Sequence, residues 1–369
     1  MGDAATMFEL LSAGGDKDVA ISAPGRAALD YAGLRRHVER TVAALKRRGV
    51  GRGDRVAIVL PNGPEMATAF VSIACAATTA PLNPAYRQDE FAFYLEDIRA
   101  KVLIVEQGSP SPAVAAARGL DIPVIEIDAP GGSTPAGAFE FIGGDGDGDA
   151  AHGGLAEADD SALLLHTSGT TARPKIVPLS HRNICASARH IAAALALTTA
   201  DRCLNIMPLF HIHGLIAAVS SSLGAGAGVH CTPGFNALKF FGWLDDAEPS
   251  WYTAVPTMHQ AILGRAARNG TIVANARLRF IRSSSSSLPP QVMAELAATF
   301  DAPVIESSGM TEATPSEDQQ SPAAAGAQTR QRRHRRRPRS RHHGRERPAH
   351  RGGRHRRGGD QRAQRDRGL

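Results

Sequence analysis

Short apolar runs alternate with amphipathic segments along the first third of the chain, and this alternation restricts the fold more than any other feature. Residues 55–60 (RVAIVL) and 102–105 are rich in β-branched side chains and predict buried strands. Residues 31–48 and 88–99 carry apolar side chains at helical spacing, and Pro64 can begin a third helix. This order predicts an α/β fold with mixed, largely parallel sheets and flanking helices.

The same pattern continues beyond the first third. Ser180 is placed to cap a helix over residues 181–197, because its hydroxyl can accept from an unpaired N–H of the first turn. Residues 129–154 are rich in Gly, Asp, Ala and Ser and predict an exposed loop. Four more apolar runs predict strands, at residues 162–165, 204–207, 251–255 and 278–281.

The last part of the chain differs in composition from the rest. Residues 315–369 contain 17 Arg, no Lys and 5 acidic residues, which leaves 25 basic and 31 acidic residues in residues 1–314. The excess of positive charge therefore belongs to this tail and does not identify partners of the remainder. Leu369 is the tail's single large apolar residue, so burial cannot offset chain entropy and the tail is predicted to be disordered.

The cysteines and the N-terminus indicate the compartment. No CxxC or metal-ligand spacing joins the four cysteines, which predicts buried free thiols in a reducing compartment. The N-terminus MGDAATMFEL lacks the basic start of a signal peptide, and no apolar run reaches the roughly 18 residues of a membrane span. We therefore expect a cytoplasmic protein. The cysteines are Cys75, Cys185, Cys203 and Cys231.

The richest group of candidate phosphate-binding side chains is residues 166–175 (HTSGTTARPK). It follows an apolar run and combines four hydroxyl side chains, a glycine and Lys175. Hydroxyls and free backbone N–H groups donate to phosphate oxygens, and a lysine adds a point charge. The spacing is not that of the GxxxxGK[ST] loop. A plain turn after a strand has the same composition, but only five of the 25 basic residues before the tail are Lys, which favours a functional lysine.

These residues resemble the phosphate loop of the AMP-forming acyl-CoA synthetases, the adenylate-forming superfamily. Five motifs in the family's order are far more specific than one, and they cover nearly all of residues 1–314. The amino-acid sequences of residues 208–214 and 251–260 are most similar to those of oxalate–CoA ligases. The other four motifs are residues 81–84 (PLNP), 208–214 (PLFHIHG), 251–257 (WYTAVPT) and 309–312 (GMTE).

The resemblance implies a two-step reaction. A carboxylate attacks the α-phosphate of ATP, which releases pyrophosphate and leaves an acyl-adenylate, and the thiol of coenzyme A then displaces AMP. The demand on the protein is mainly charge stabilisation around phosphates, with Mg²⁺ as the largest local charge. ATP, Mg²⁺ and coenzyme A are therefore expected, together with a carboxylic acid such as oxalate or a fatty acid.

Site residues are carried over from the same resemblance. His211 matches a histidine near the reacting carboxylate, and His213 adds polarity for a second carboxylate, although a lone histidine is as often structural. Glu312 matches the carboxylate associated with Mg²⁺, although Thr-Glu alone also begins helices. Ser285 and Ser286 fall in the segment beside the acyl and adenine pockets. The implied catalytic residues are His211, Thr311, Glu312 and Lys175, and the implied ATP-binding residues are Thr167, Ser168, Gly169, Thr170, Thr171, Lys175, Ser308, Gly309, Met310 and Thr311.

Three departures from the family's pattern weaken the implied activity. Ile176 replaces a glycine, which predicts a stiffer and more crowded loop. Ser308 replaces an aromatic side chain that would stack on adenine. The tail lacks the family's hinge and C-terminal domain, and we interpret it as a frameshift product of a G+C-rich gene. Residues 1–314 then form an incomplete AMP-binding domain, and the chain is expected to be weakly active or inactive.

Two other functions stay open at this point. A chain without the C-terminal domain could bind nucleotide and acid without turnover. The Arg-rich tail could bind nucleic acid through its charge, but it lacks aromatic residues that would stack on bases, and residues 1–314 are acidic. Nucleic-acid binding is therefore the less favoured of the two.

Overall fold

Two seven-stranded sheets organise the chain. The structure, a computed structural model, describes residues 4–129, 131, 134–143, 148–167 and 174–307. The strands are β1 Val19–Ser22, β2 Leu29–Asp30, β3 Arg55–Val59, β4 Thr78–Pro81, β5 Val102–Glu106, β6 Val124–Asp128, β7 Glu140–Phe141, β8 Ser161–Thr167, β9 Lys175–Ser180, β10 Arg202–Asn205, β11 Gly228–Cys231, β12 Trp251–Ala254, β13 Phe280–Ser283 and β14 Val304–Glu306.

The helices lie between and outside the sheets. Short 3₁₀ turns extend the chain after the first and ninth helices, at Leu11–Ala13 and Ala267–Asn269, and a π-helical segment covers His213–Ser220. The α-helices are α1 Met7–Leu10, α2 Tyr31–Arg47, α3 Pro64–Ala74, α4 Gln88–Asp97, α5 Pro112–Gly119, α6 His181–Ala194, α7 Ser221–Gly224, α8 Phe240–Ala247, α9 Pro256–Ala266, α10 Gly270–Asn275 and α11 Pro290–Phe300.

Both sheets are largely parallel, which confirms the predicted fold class. The first sheet has the order β14-β13-β12-β10-β11-β1-β2, and its antiparallel pair is β1 with β2. The second has the order β7-β6-β5-β3-β4-β8-β9, with antiparallel pairs at β6/β7 and β8/β9. Because β10, β12, β13 and β14 run parallel, their carboxyl ends share one edge of the first sheet, where ligands bind in open α/β sheets.

Three apolar clusters hold these layers together. The largest contains side chains from the inner faces of both sheets and from α2, α3 and α6. The second covers the other face of the first sheet with α8, α9 and α11. The third, which we call the outer cluster, covers the other face of the second sheet with α4 and α5. Helices on both faces explain why the parallel strands read as continuous apolar runs.

Most predicted elements are present, with shifted ends. The predicted strand at residues 204–207 is formed by Arg202–Asn205 instead, because this stretch pairs in register with Gly228–Cys231. Ser180 accepts from the Asn183 N–H and caps α6 as expected. The predicted loop at 129–154 contains the short edge strand β7. The four cysteines are free and buried, as predicted.

The tail and its boundary are outside the part of the chain that the structure describes. The described residues end at Ser307, so the domain boundary at residue 314 and the disordered tail over 315–369 stay predictions. Within the described ranges, no helix combines the length and apolar character needed to cross a membrane.

Candidate functional site

A group of polar side chains lies at the carboxyl edge of the first sheet. Thr253 is on β12, Arg282 is on β13, and His213 begins the π-helical segment. Each of the three is almost fully buried. These buried polar residues stand where the apolar pattern of the strands ends, at the edge where open α/β sheets bind ligands, so they form a candidate site.

His213 connects the buried residues Thr253 and Arg282 with Ser285 through its two ring nitrogens. Its Nε2 lies 2.6 Å from Thr253 Oγ1 and 3.0 Å from Arg282 Nη1, and its Nδ1 lies 3.0 Å from Ser285 Oγ. A guanidinium can only donate, so Nε2 accepts and we assign the proton to Nδ1. Ser285 is exposed, so the Nδ1–H of His213 donates to a hydroxyl at the surface.

Arg282 is a buried cation without an ion pair. Its side chain is fully buried, and its Nη1 also donates to Thr253 Oγ1 at 3.2 Å. Across the described residues, its guanidinium contacts His213 and Thr253, and no carboxylate lies within ion-pair distance of it. Burial lowers the pKa of Arg282 to about 10, so the group stays protonated at neutral pH. A buried charge without a partner is unfavourable unless something else at the site compensates it.

Other polar atoms at this edge also lack partners. Arg282 Nε, Ser283 Oγ and Ser307 Oγ are buried and make no hydrogen bond within the described ranges. Buried polar groups are normally paired with protein, water or a bound ion. Together with the charge of Arg282, these atoms make this edge a candidate place for an anion.

The protonation state of His213 suits that role. Burial is the main cause that lowers the pKa of His213 well below its usual value, and the charges of Arg282, His259 and His211 lower it further. The imidazole is therefore neutral at physiological pH. A neutral ring with a fixed Nδ1–H is a hydrogen-bond donor that does not change with pH in this range.

His211 lies on the chain just before this group but makes different contacts. Its side chain is exposed, and its ring centroid lies 4.6 Å from that of Phe210. It shares no hydrogen bond with His213, Thr253 or Arg282, as far as the described residues show. The structure thus brings His213 and Ser285 together and leaves His211 at the rim.

The two serines predicted to line a pocket also differ from each other. Ser285 contacts His213, and its φ of 74° holds it in the left-handed region, which is strained for a serine. Ser286 is exposed and donates to the carbonyl oxygen of Ser285. Only Ser285 is therefore directed into the polar group.

The predicted phosphate loop is described at its two ends. Thr167 ends β8, Lys175 begins β9, and the two residues are direct partners in the antiparallel ladder. Lys175 is exposed. Ile176, the departure from the family's glycine, is partly buried against the outer cluster, which accommodates its bulk. The predicted residues Ser168, Gly169, Thr170, Thr171, Ser308, Gly309, Met310, Thr311 and Glu312 lie outside the described residues.

The sequence alone assigns no role to Arg282, the residue that gives the site its charge. It includes Thr253 only within the motif at residues 251–257. One signal was present, since Arg282 directly follows the apolar residues Phe280 and Ile281. A charged residue that continues a buried strand is rarely left without a role.

Comparison with known proteins identifies the family of the chain. A sequence model of the family described as AMP-binding enzyme matches residues 11–335. The chain is 41% identical over 302 residues to an oxalate–CoA ligase of Arabidopsis thaliana, a match that covers 80% of this chain and 58% of that protein. It is 34% identical to an oxalate–CoA ligase of Saccharomyces cerevisiae, with 72% and 52% covered. The chain thus spans little more than half the length of these relatives.

A solved structure shares the fold. ATP-bound MatB from Rhodopseudomonas palustris superposes with a TM-score of 0.69 at 25% identity, and the match covers 86% of this chain and 63% of that one. A score of this size over most of the described elements supports the two-sheet architecture.

Proposed function

Since the chain belongs to the family of AMP-binding enzymes, we propose that it activates a carboxylic acid with ATP and transfers the acyl group to coenzyme A. An oxygen of the acid attacks the α-phosphorus of ATP, the bond to the β-phosphate breaks, and pyrophosphate leaves. The thiol of coenzyme A, which loses its proton, then attacks the acyl carbon, and AMP leaves with the electron pair of the broken bond.

The chain's own residues are assigned to these steps by position. Thr167, Ser168, Gly169, Thr170, Thr171 and Lys175 bind the β- and γ-phosphates, where hydroxyls, backbone N–H groups and an ammonium stabilise negative charge. Thr311 is assigned to the α-phosphate, and Ser308, Gly309 and Met310 are assigned to the rest of the nucleotide site. His211, at the rim of the polar group, faces the reacting carboxylate. All these assignments rest on the match to the family.

The residues present are compatible with a Mg²⁺ ion that binds together with ATP. Within the described ranges, no three His, Cys, Asp or Glu side chains form a site for a metal. Mg²⁺ usually takes one or two carboxylates together with substrate phosphates, and Glu312 supplies such a carboxylate. When bound, the ion would neutralise charge on the phosphate oxygens.

The substrate we propose is a short dicarboxylic acid, with oxalate as the first candidate. The observation that carries this is the chain of contacts from Arg282 through His213 to the exposed Ser285 hydroxyl. The second carboxylate would accept from the Ser285 hydroxyl, which His213 holds in place, and would compensate the charge of Arg282. A fatty acid offers only its alkyl chain to these polar groups, which disfavours it. The names of two relatives agree with this choice.

The test is pyrophosphate release by the full chain with ATP, Mg²⁺ and a panel of acids. We expect release with oxalate to exceed that with acetate or hexanoate, which offer a single carboxylate. A preference for hexanoate would overturn the proposed substrate. ATP binding without pyrophosphate release for any acid would overturn the proposed activity and favour a nucleotide-binding protein without turnover.

A further inference from the structure

The two ends of the phosphate loop are fixed to one pair of strands. Thr167 and Lys175 form the last rung of the β8/β9 ladder, and His166 and Ile176 form the rung before it. Side chains of directly opposed residues lie on the same face of a sheet, and successive rungs alternate faces. Thr167 and Lys175 therefore share one face, and His166 and Ile176 share the other.

The His166 side chain is held from its own face by helix α4. Its Nε2 lies 3.1 Å from Asp97 Oδ2, and the two side chains are only 8% and 14% exposed. The Tyr94 ring and the imidazole make a T-shaped contact with a centroid distance of 4.6 Å, and Tyr94 stacks on Tyr86 at 4.8 Å. Ile176 is partly buried in the same outer cluster.

The contact with Asp97 determines which ring nitrogen of His166 carries the proton. An ionised carboxylate only accepts, so we assign the His166 proton that faces Asp97 to Nε2. Burial lowers the pKa of His166, while Asp97 acts to raise it. The neutral ring thus donates one directional hydrogen bond that fixes its orientation, and with it the rung next to the loop.

We propose that the Asp97–His166 pair is a positioning device for the phosphate loop and sets the affinity for ATP. The inference rests on the proposed function of the loop. By anchoring the rung before Thr167 and Lys175, the pair fixes the direction in which both residues leave the sheet. Small displacements of such groups reduce binding strongly, because charge-assisted contacts with phosphate depend on direction.

Two substitutions of His166 test the proposal, because their side-chain amides differ in how far they extend from the backbone. In His166→Gln the amide N–H group occupies the position of Nε2, whereas in His166→Asn it occupies that of Nδ1. The full chain is titrated with a non-hydrolysable ATP analogue and Mg²⁺ by calorimetry. We expect dissociation constants within about threefold of the unaltered chain for His166→Gln and about tenfold higher for His166→Asn. Asp97→Asn, which keeps an acceptor, should resemble His166→Gln.

A matched control separates positioning from stability. His230 is a buried histidine on β11 whose Nδ1 lies 3.1 Å from Ser22 Oγ, so His230→Gln, whose amide takes the position of Nε2, loses this contact as His166→Asn loses its own. We expect His230→Gln to alter the melting temperature but to leave the affinity for the ATP analogue unchanged. Equal affinities for His166→Gln and His166→Asn, whether high or low, would overturn the inference alone. No binding of the analogue by the unaltered chain would instead overturn the proposed function.

Discussion

Asp201 accepts two parallel hydrogen bonds from the guanidinium of Arg279, from Nε at 2.8 Å and from Nη2 at 2.9 Å. Asp201 directly precedes β10 and Arg279 directly precedes β13. Ser250, just before β12, donates to the same carboxylate at 2.6 Å. One buried carboxylate therefore joins the amino ends of three parallel strands, at the opposite end from the polar group around His213.

We expect Asp201→Asn to lower the free energy of unfolding by about 2 kcal/mol, because it removes the charge from hydrogen bonds made by Arg279. The loss is smaller than that for a fully buried pair, because Arg279 is 42% exposed and water screens its charge. Chemical denaturation measures the change. Asp245→Asn, at an exposed position, is the control and should stay within about 0.5 kcal/mol. Equal stability of the two variants would contradict the role given to Asp201.

The same carboxylate predicts a pH dependence of stability. Burial alone would raise the pKa of Asp201, but hydrogen bonds from Arg279, Ser250 and Thr198 outweigh it and lower the pKa. A lowered folded pKa stabilises the fold above the unfolded value of about 3.9, and this is lost as pH falls through the folded value. The stability difference between the unaltered chain and Asp201→Asn should thus be constant above about pH 5 and shrink below about pH 4. A difference that does not change with pH would contradict this.

Arg282→Met should separate stability from substrate selection. We expect the melting temperature to stay the same or rise, because Arg282→Met replaces a buried cation that has no ion pair among the described residues with an apolar side chain. The KM for oxalate should rise roughly thirtyfold, equivalent to about 2 kcal/mol, as the charge behind His213 is lost. Steady-state pyrophosphate release measures the KM.

The control for Arg282→Met is Arg268→Met, at an exposed position of the 3₁₀ turn Ala267–Asn269. It removes the same charge and should change neither quantity. An unchanged KM for oxalate in Arg282→Met would remove Arg282 from the proposed site.

Gly14→Ala should destabilise the fold through one steric contact. A Cβ at Gly14 would overlap the ring of Tyr31. That ring cannot move aside, because it is fully buried and its hydroxyl donates to the carbonyl oxygens of Leu223 at 3.1 Å and Ala227 at 2.8 Å. We expect a loss of about 1–3 kcal/mol in the free energy of unfolding.

Gly242→Ala is the matched control for Gly14→Ala. A Cβ at Gly242, within α8, meets nothing within 4 Å, so alanine should stabilise the helix by up to about 1 kcal/mol. The two variants make the same chemical change, and denaturation curves of both should therefore move in opposite directions. Movement in the same direction would contradict the steric explanation.

The sequence predicts those elements whose signal is local. The strand at residues 55–60 is predictable because burial on both faces produces a continuous apolar run. The helix at residues 31–48 is predictable because burial of one stripe produces apolar residues at helical spacing. Strand β9 was missed because Pro178 interrupts it, and proline is tolerated there only because β9 lies at the edge of its sheet. Strand β7 was missed because two residues are too few for any periodicity.

In the site, too, the sequence identifies single residues but not the contacts that the tertiary fold creates between them. Motif resemblance identified His213 and Ser285 separately, but their contact spans 72 residues of sequence and depends on the placement of β13 beside β12. The absence of a carboxylate near Arg282 in the described ranges is a property of the assembled edge, so no local pattern records it. The pairing of His166 with Asp97, 69 residues apart, was invisible for the same reason.

The four buried thiols can report on transient opening of the apolar core that the two sheets share. They come from the end of α3, from α6 and from the neighbouring strands β10 and β11, and all belong to the apolar cluster shared by both sheets. Burial raises the pKa of each thiol, so alkylating reagents meet neither an accessible nor an ionised sulfur in the folded state. The rate of cysteine alkylation, followed by mass spectrometry, therefore measures how often the shared core opens, without any introduced label.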